Sequence, residues 1–233
     1  MATTRLAWLG HAAFRLDTPA AKRIYIDPFL TGNPSCPASE LEPEHVDAIL
    51  VTHGHADHVG DTARLARAHA CAVIAQVELR QRLAAEMHEQ VDLATALNKG
   101  GGIDVAGVHV TMTHANHSSS TDDGGYAGES CGYVLEIPDG PTVYFAGDTN
   151  VFGDMALIGR IYAPTVAVLP VGDHFTMGPR EAAVAAELVG AARIVPSHYR
   201  TFPLLTGTVE ALQPLLPTGI ELMAPEPGET IGL

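Results

Sequence analysis

The chain has 233 residues, 46% of them hydrophobic and 17% charged, a balance that excludes a disordered polar chain and suffices for one hydrophobic core. Its 27 acidic residues outnumber its 13 lysines and arginines, giving a formal net charge of −14, and so acidic a surface argues against nucleic acid or an anionic membrane as partner. Twelve histidines are the feature to explain, because histidine is the commonest metal-binding side chain.

In chain order, the pattern opens with three short strands at 3–9, 12–17 and 22–26, read as a meander. A Pro/Ser-rich loop runs from Pro28 to Pro43, and the β-rich run DAILVT covers 47–52. Residues 60–69 and 77–88 are rich in Ala, Leu and Arg and read as helices, with the strand CAVIA at 71–75 between them. A second group of strands follows at 103–106, 108–114, 131–137 and 141–146. Phe152 to Tyr162 reads as a short helix, 165–170 as a buried strand, and 179–189 as a helix opened by Gly178-Pro179. Strands at 192–196 and 220–223 close the pattern. Each half supplies strands first and covering helices afterwards. The fold class is therefore α+β, and two sheets packed face to face with helices outside, a four-layer αββα sandwich, would bury both halves.

No repeat or linker divides the chain, so residues 1–233 are expected to form a single domain. Cys36, Cys71 and Cys131 are scattered with no C-x-x-C pair, which fits buried thiols in a reducing compartment. Residues 1–16 lack the features of a signal peptide, and no run reaches 18 apolar residues. A soluble cytoplasmic protein is expected.

The strongest local signal is His53-Gly54-His55-Ala56-Asp57-His58, directly after the apolar run AILVT. His53 and His55 are two apart, so in extended backbone they point to one side and can share a metal. Asp57 and His58 follow once the chain has turned and can face a second position, while Gly54 and Ala56 allow close approach. His117, Asp148 and His198 each follow a strand pattern, in HANHSSS, YFAGDT and IVPSHYRTFP. They would converge with the hexapeptide if those strands share one edge, and a carboxylate such as Asp148 can bridge two ions. His114, three residues before His117, is the competing candidate.

H-G-H-A-D-H, the single downstream His, A-G-D-T and S-H-Y together resemble the metallo-β-lactamase superfamily. More closely, the chain is similar to the superfamily's small metal-dependent hydrolases related to ascorbate-6-phosphate lactonase-like proteins. The likeness runs nearly end to end, through WLGHAAF at 8–14, IDPFLTGNP at 26–34, THGHADHVGDT at 52–62, PVGDHFTMGP at 170–179 and GET at 228–230. The resemblance implies the αββα metallo-β-lactamase fold with a dinuclear site at one edge. His53, His55 and His117 would hold the first metal; Asp57, His58 and His198 the second; Asp148 would bridge. The serines after His117 match the family's pattern, which assigns His117 and leaves His114 structural. The donor set suits two divalent ions, Zn²⁺ first and Mn²⁺, Fe²⁺, Co²⁺ or Ni²⁺ besides. Iron-dependent redox relatives carry Glu where His55 stands, so hydrolysis is favoured.

The implied function is a dinuclear hydrolase whose metal-bridging hydroxide attacks a small ester, lactone, amide or phosphodiester, with Asp57 as ligand and proton handler. The rival readings are a metal-binding module without turnover, and a phosphodiesterase or nuclease, which the acidity opposes. Asp27 resembles the superfamily's early Asp that orients the ligand loop. His174 is a candidate for substrate contact or carbonyl polarisation, with loop packing as the alternative. His11 is either structural or close to the metals, and the polar segment 116–130 is a lid or an exposed loop. The expected partner is a small molecule, with no nucleic acid and no membrane; homo-oligomerisation stays open.

Overall fold

The computed structural model describes residues 3–233. Strands β1 (Arg5–Trp8), β2 (Phe14–Asp17) and β3 (Arg23–Ile26) form the antiparallel meander, and β4 (Ala48–Leu50), β5 (Ala72–Gln76) and β6 (Ala96–Leu97) continue the sheet in parallel. The other edge is closed from the far end of the chain. There β14 (Thr230–Gly232) pairs antiparallel with β1, with Arg5 opposite Gly232 and Ala7 opposite Thr230.

The second sheet also has seven strands. β7 (Gly102–Val105), β8 (Val108–His114), β9 (Cys131–Glu136) and β10 (Thr142–Phe145) are antiparallel neighbours. β11 (Val166–Pro170), β12 (Arg193–Ser197) and the short β13 (Glu221–Leu222) then extend the sheet in parallel.

Side-chain alternation builds the layers, because successive strand residues face opposite sides. In the first sheet Leu6, Trp8, Ile24, Ile26, Ala48 and Leu50 pack between the sheets, with Val110, Met112 and Tyr133 of the second. Their alternates Ala7, Leu9, Tyr25, Ile49 and Val51 face outward. Helices α2 (Thr62–His69) and α3 (Val77–Met87) cover that outer face with Leu65, Leu79 and Leu83. Both faces of β4 are thus buried, which is why its sequence is continuously apolar. Helices α4 (Met155–Tyr162) and α5 (Pro179–Val189) add Ile158, Ala182, Ala186 and Val189 to the core beside the second sheet. The result is the expected four-layer α+β sandwich.

Most predicted boundaries agree within a residue or two. Four strands or α-helices are additional: α1 (Ala56–Val59), β6, α6 (Val209–Leu212) and β14. Each is too short to show a hydrophobic period. Among the described residues no helix is long and apolar enough to cross a membrane.

Candidate metal centre

The site forms where strand directions agree. β1, β3 and β4 run one way in the first sheet, as the alternating pairings require, and β8, β10 and β12 run one way in the second. Their C-terminal ends meet at one edge of the sandwich. His11 follows β1, Asp27 follows β3, the hexapeptide follows β4, and His117, Asp148 and His198 follow β8, β10 and β12. Two backbone hydrogen bonds join the sheets there: Cys131 N–H donates to the Thr52 carbonyl at 3.0 Å, and His198 N–H to the His11 carbonyl at 2.9 Å.

At His55 the chain turns into the single-turn helix α1, so His53 and His55 leave the strand end while Asp57 and His58 project from the helix. Gly54 is required by crowding. A Cβ there would stand 2.4 Å from the Ala127 Cβ and 3.0 Å from the Ser120 carbonyl oxygen. Its N–H donates to Ser119 Oγ at 3.1 Å, and Ser119 Oγ donates to the Ala127 carbonyl at 3.0 Å. The segment after His117 is therefore anchored against the ligand loop through Ser119 and buried Ala127, with Asp122 to Gly124 and Tyr126 exposed.

Asp27 organises the base of the site. Its Oδ1 accepts the Thr52 N–H, and its Oδ2 accepts the Thr52 hydroxyl and His58 Nδ1–H, each at 2.7 Å. The Thr52 hydroxyl has then used its proton, so toward His53 Nδ1, 3.0 Å away, it can only accept. Both histidines are thereby protonated on Nδ1 with Nε2 directed into the centre. His53 Nε2 lies 2.9 Å from His55 Nδ1, two nitrogens converging on one point.

Asp148 stands between the histidines. Its Oδ2 lies 3.1 Å from His198 Nε2, 3.3 Å from His58 Nε2 and 3.7 Å from His117 Nε2. Three overlapping groups of donors result: His53, His55 and His117; His53, His58 and Asp148; and His11, Asp57, His58 and His198. Donors within each group lie within 4.8 Å of one another, comparable to the roughly 4 Å span of opposed ligands at metal–nitrogen distances near 2 Å.

Electrostatics follow from burial and from the two central carboxylates. Burial holds His53 well below its ordinary pKa and lowers His55 and His117, keeping them neutral. Burial also disfavours charge on His58, but Asp148 and Asp27 override it and hold its pKa well above the usual value. Asp148 is itself buried, yet the His198 and His58 fields keep it ionised. His11, Asp27 and His198 all occupy left-handed backbone, with φ of +56°, +46° and +55°. Such conformations are uncommon for residues other than glycine and gather at functional sites.

The residues proposed as ligands from the sequence are thus brought together, and Asp27 orients the ligand loop. His11 joins them, fully buried, with its Nε2 2.8 Å from Asp57 Oδ2. It follows a strand parallel to β4, the same strand-end signal that marked the other candidates. His174 is exposed, its ring edge-on to Phe175 at 4.4 Å. No hydrogen bond or ring contact among the described residues joins it to the cluster. His114 is exposed beside Lys99 Nζ at 3.1 Å. A cavity of about 450 Å³ opens beside the ligand loop, lined by Gly54, Ala56, Leu79, Arg82 and Asp122 but by none of the clustered donors.

This donor set fits divalent metal. The Nε2 of His58 is buried with no well-aligned hydrogen bond, its Asp148 neighbour standing 3.3 Å away, in a cradle of imidazoles and carboxylates. A buried nitrogen and carboxylate oxygen so poorly joined are well served by a cation between them.

Residues 22–199 match the family model described as Beta-lactamase superfamily domain. A UPF0173 metal-dependent hydrolase of Herpetosiphon aurantiacus is 48% identical over 238 residues, covering 98% of each chain. A second, from Koribacter versatilis, is 43% identical over 229 residues and covers 97% of each. Among solved structures, Igni18, a metallo hydrolase of the archaeon Ignicoccus hospitalis, superposes with a TM-score of 0.84 at 31% identity, covering 99% of this chain and 98% of its own.

Proposed function

The chain belongs to the beta-lactamase superfamily and is a metal-dependent hydrolase, and from that premise we propose that it works with two divalent ions, zinc first among them, on a small uncharged ester, lactone or amide. The observation that carries this reading is the position of Asp148. One carboxylate oxygen faces histidines from both donor sets within 3.1 to 3.7 Å, as a bridging ligand would.

His53, His55 and His117 would hold one ion, Asp57, His58 and His198 the other, with Asp148 between them. Bound there, the ions would supply a nucleophilic hydroxide at neutral pH and a Lewis acid for the developing oxyanion. Asp57 is held below its ordinary pKa against burial by the His11 hydrogen bond and by His58. It is therefore a carboxylate at neutral pH, able to orient a nucleophile, take a proton and return it to the leaving group. Its side chain is 34% exposed, which leaves it open to substrate.

The surrounding charges support an uncharged substrate. Arg200, two residues after His198, is paired with Glu226 at 3.0 and 3.2 Å, and Lys99 with Glu129 at 2.7 Å. A phosphodiester would draw on such cations; their pairing and the net charge of −14 disfavour the nuclease branch. Among the described residues Arg82, bonded to the Tyr126 carbonyl, is the cation left without a carboxylate at the neighbouring cavity.

Metal analysis of the purified protein, followed by an ester, lactone, amide and phosphodiester panel with the matching ion, tests the proposal. Two equivalents of metal and turnover on carbonyl substrates are expected. Asp148→Ala should retain at most one tightly bound equivalent and lose activity; two tight ions with full activity in that variant would overturn the bridging role. Metal without turnover on the whole panel would leave a binding module instead.

A further inference from the structure

His11 lies inside the cluster, yet its nitrogens have unequal surroundings. Its carbonyl is held twice, by the Trp8 indole N–H at 2.8 Å and by the His198 backbone N–H at 2.9 Å. The ring is thereby fixed 4.0 Å, centroid to centroid, from that of His198. Nε2 lies 2.8 Å from Asp57 Oδ2, whereas Nδ1 is buried with no hydrogen-bond partner.

Which nitrogen carries the proton decides what the residue does. A proton on Nδ1 would bury an N–H without an acceptor and aim the Nε2 lone pair at a carboxylate oxygen. A proton on Nε2 makes a charge-assisted hydrogen bond and orphans only a lone pair, the less costly of the two defects. A nitrogen that donates this proton cannot also ligate a metal.

We propose that His11 is a positioning residue and not a fourth ligand: its Nε2–H holds Asp57 Oδ2 toward His58 and His198 and so sets the affinity of the second metal position. Asp57 Oδ2 is 3.8 Å from His198 Nε2, so the oxygen that His11 holds is the one facing the other donors. The inference rests on the dinuclear reading above.

Co²⁺ titration of chelator-treated wild type, His11→Gln and His11→Asn, by absorption spectroscopy and equilibrium dialysis, tests it. A Gln amide can place an N–H near the Nε2 position. An Asn amide is too short to reach Asp57, yet tolerates left-handed backbone. Wild type should take two equivalents and His11→Gln should stay close to it. His11→Asn should lose affinity for the second equivalent about 10- to 100-fold, with the first retained as evidence of folding. Equal loss in both variants would make His11 a ligand, and no loss in either would make it a bystander; both outcomes overturn the proposal. If His11→Asn binds neither ion, the Asp57→Asn background decides. There His11→Gln should be indistinguishable from His11 in the remaining affinity, and a further loss overturns the role through Asp57. A wild type that binds one equivalent overturns the dinuclear reading, and this role with it.

Discussion

An imidazole buried as deeply as that of His11 takes up a proton only near pH 4, because burial outweighs the hydrogen bond it donates to Asp57. In the unfolded chain the same group protonates near pH 6.5. Between those values the unfolded state binds a proton that the folded state refuses, so stability falls as the pH is lowered. His58 runs the other way, but its raised pKa adds stability that is already complete below pH 6.5. We therefore expect the urea midpoint of the metal-free protein to fall steadily from pH 6.5 to about 4, with His11 contributing on the order of 3 kcal/mol over that window. A midpoint that stays level would mean that the buried imidazole is charged. At this scale the ligands were legible, because metal chemistry restricts residue type and spacing. The protonation of each histidine was not, because it depends on partners such as Thr52 and Asp27, contributed in part by other segments.

Elements place these residues through direction, and crowding fixes their contacts. The hexapeptide can lie against the segment after His117 only because position 54 has no Cβ. Gly54→Ala forces Ala127 and the Ser120 backbone aside, which should cost about 1 to 3 kcal/mol. It should also speed proteolysis between residues 118 and 130, with denaturation and limited digestion as the measurements; unchanged digestion would show that the segment is held elsewhere. Strands such as DAILVT were readable because burial on both faces leaves an unbroken apolar run. The order of strands in each sheet was not, since periodicity reports which face is buried but never which neighbour lies alongside. The single turn of α1 escaped for another reason: four residues that carry metal-binding side chains show no amphipathic pattern.

Across the whole molecule, the proposed ligands come from both sheets, so metal bound there acts on the junction between them. Binding to the folded state alone stabilises it by about 2.7 kcal/mol at a free ligand concentration one hundred times the dissociation constant. Chelation should lower the melting temperature, and restoring the matching ion should return it, as measured by calorimetry. An unchanged melting temperature would show that the ligands tie no part of the fold. The sandwich as a class was inferable from the order of strands and helices, but the juxtaposition of its two sheets was not, because it is made by contacts remote in sequence.

The pairing of β1 with β14 has a consequence for synthesis. Strand β1 leaves the ribosome early, but its outer edge stays open until residues 230–232 emerge. Until then the nascent chain carries an unpaired strand edge, the kind of surface through which polypeptides join one another. A chain truncated shortly before Thr230 would keep the other strands of both sheets and leave that edge exposed. For this fold the hazardous interval lasts until β14 has been made and has paired.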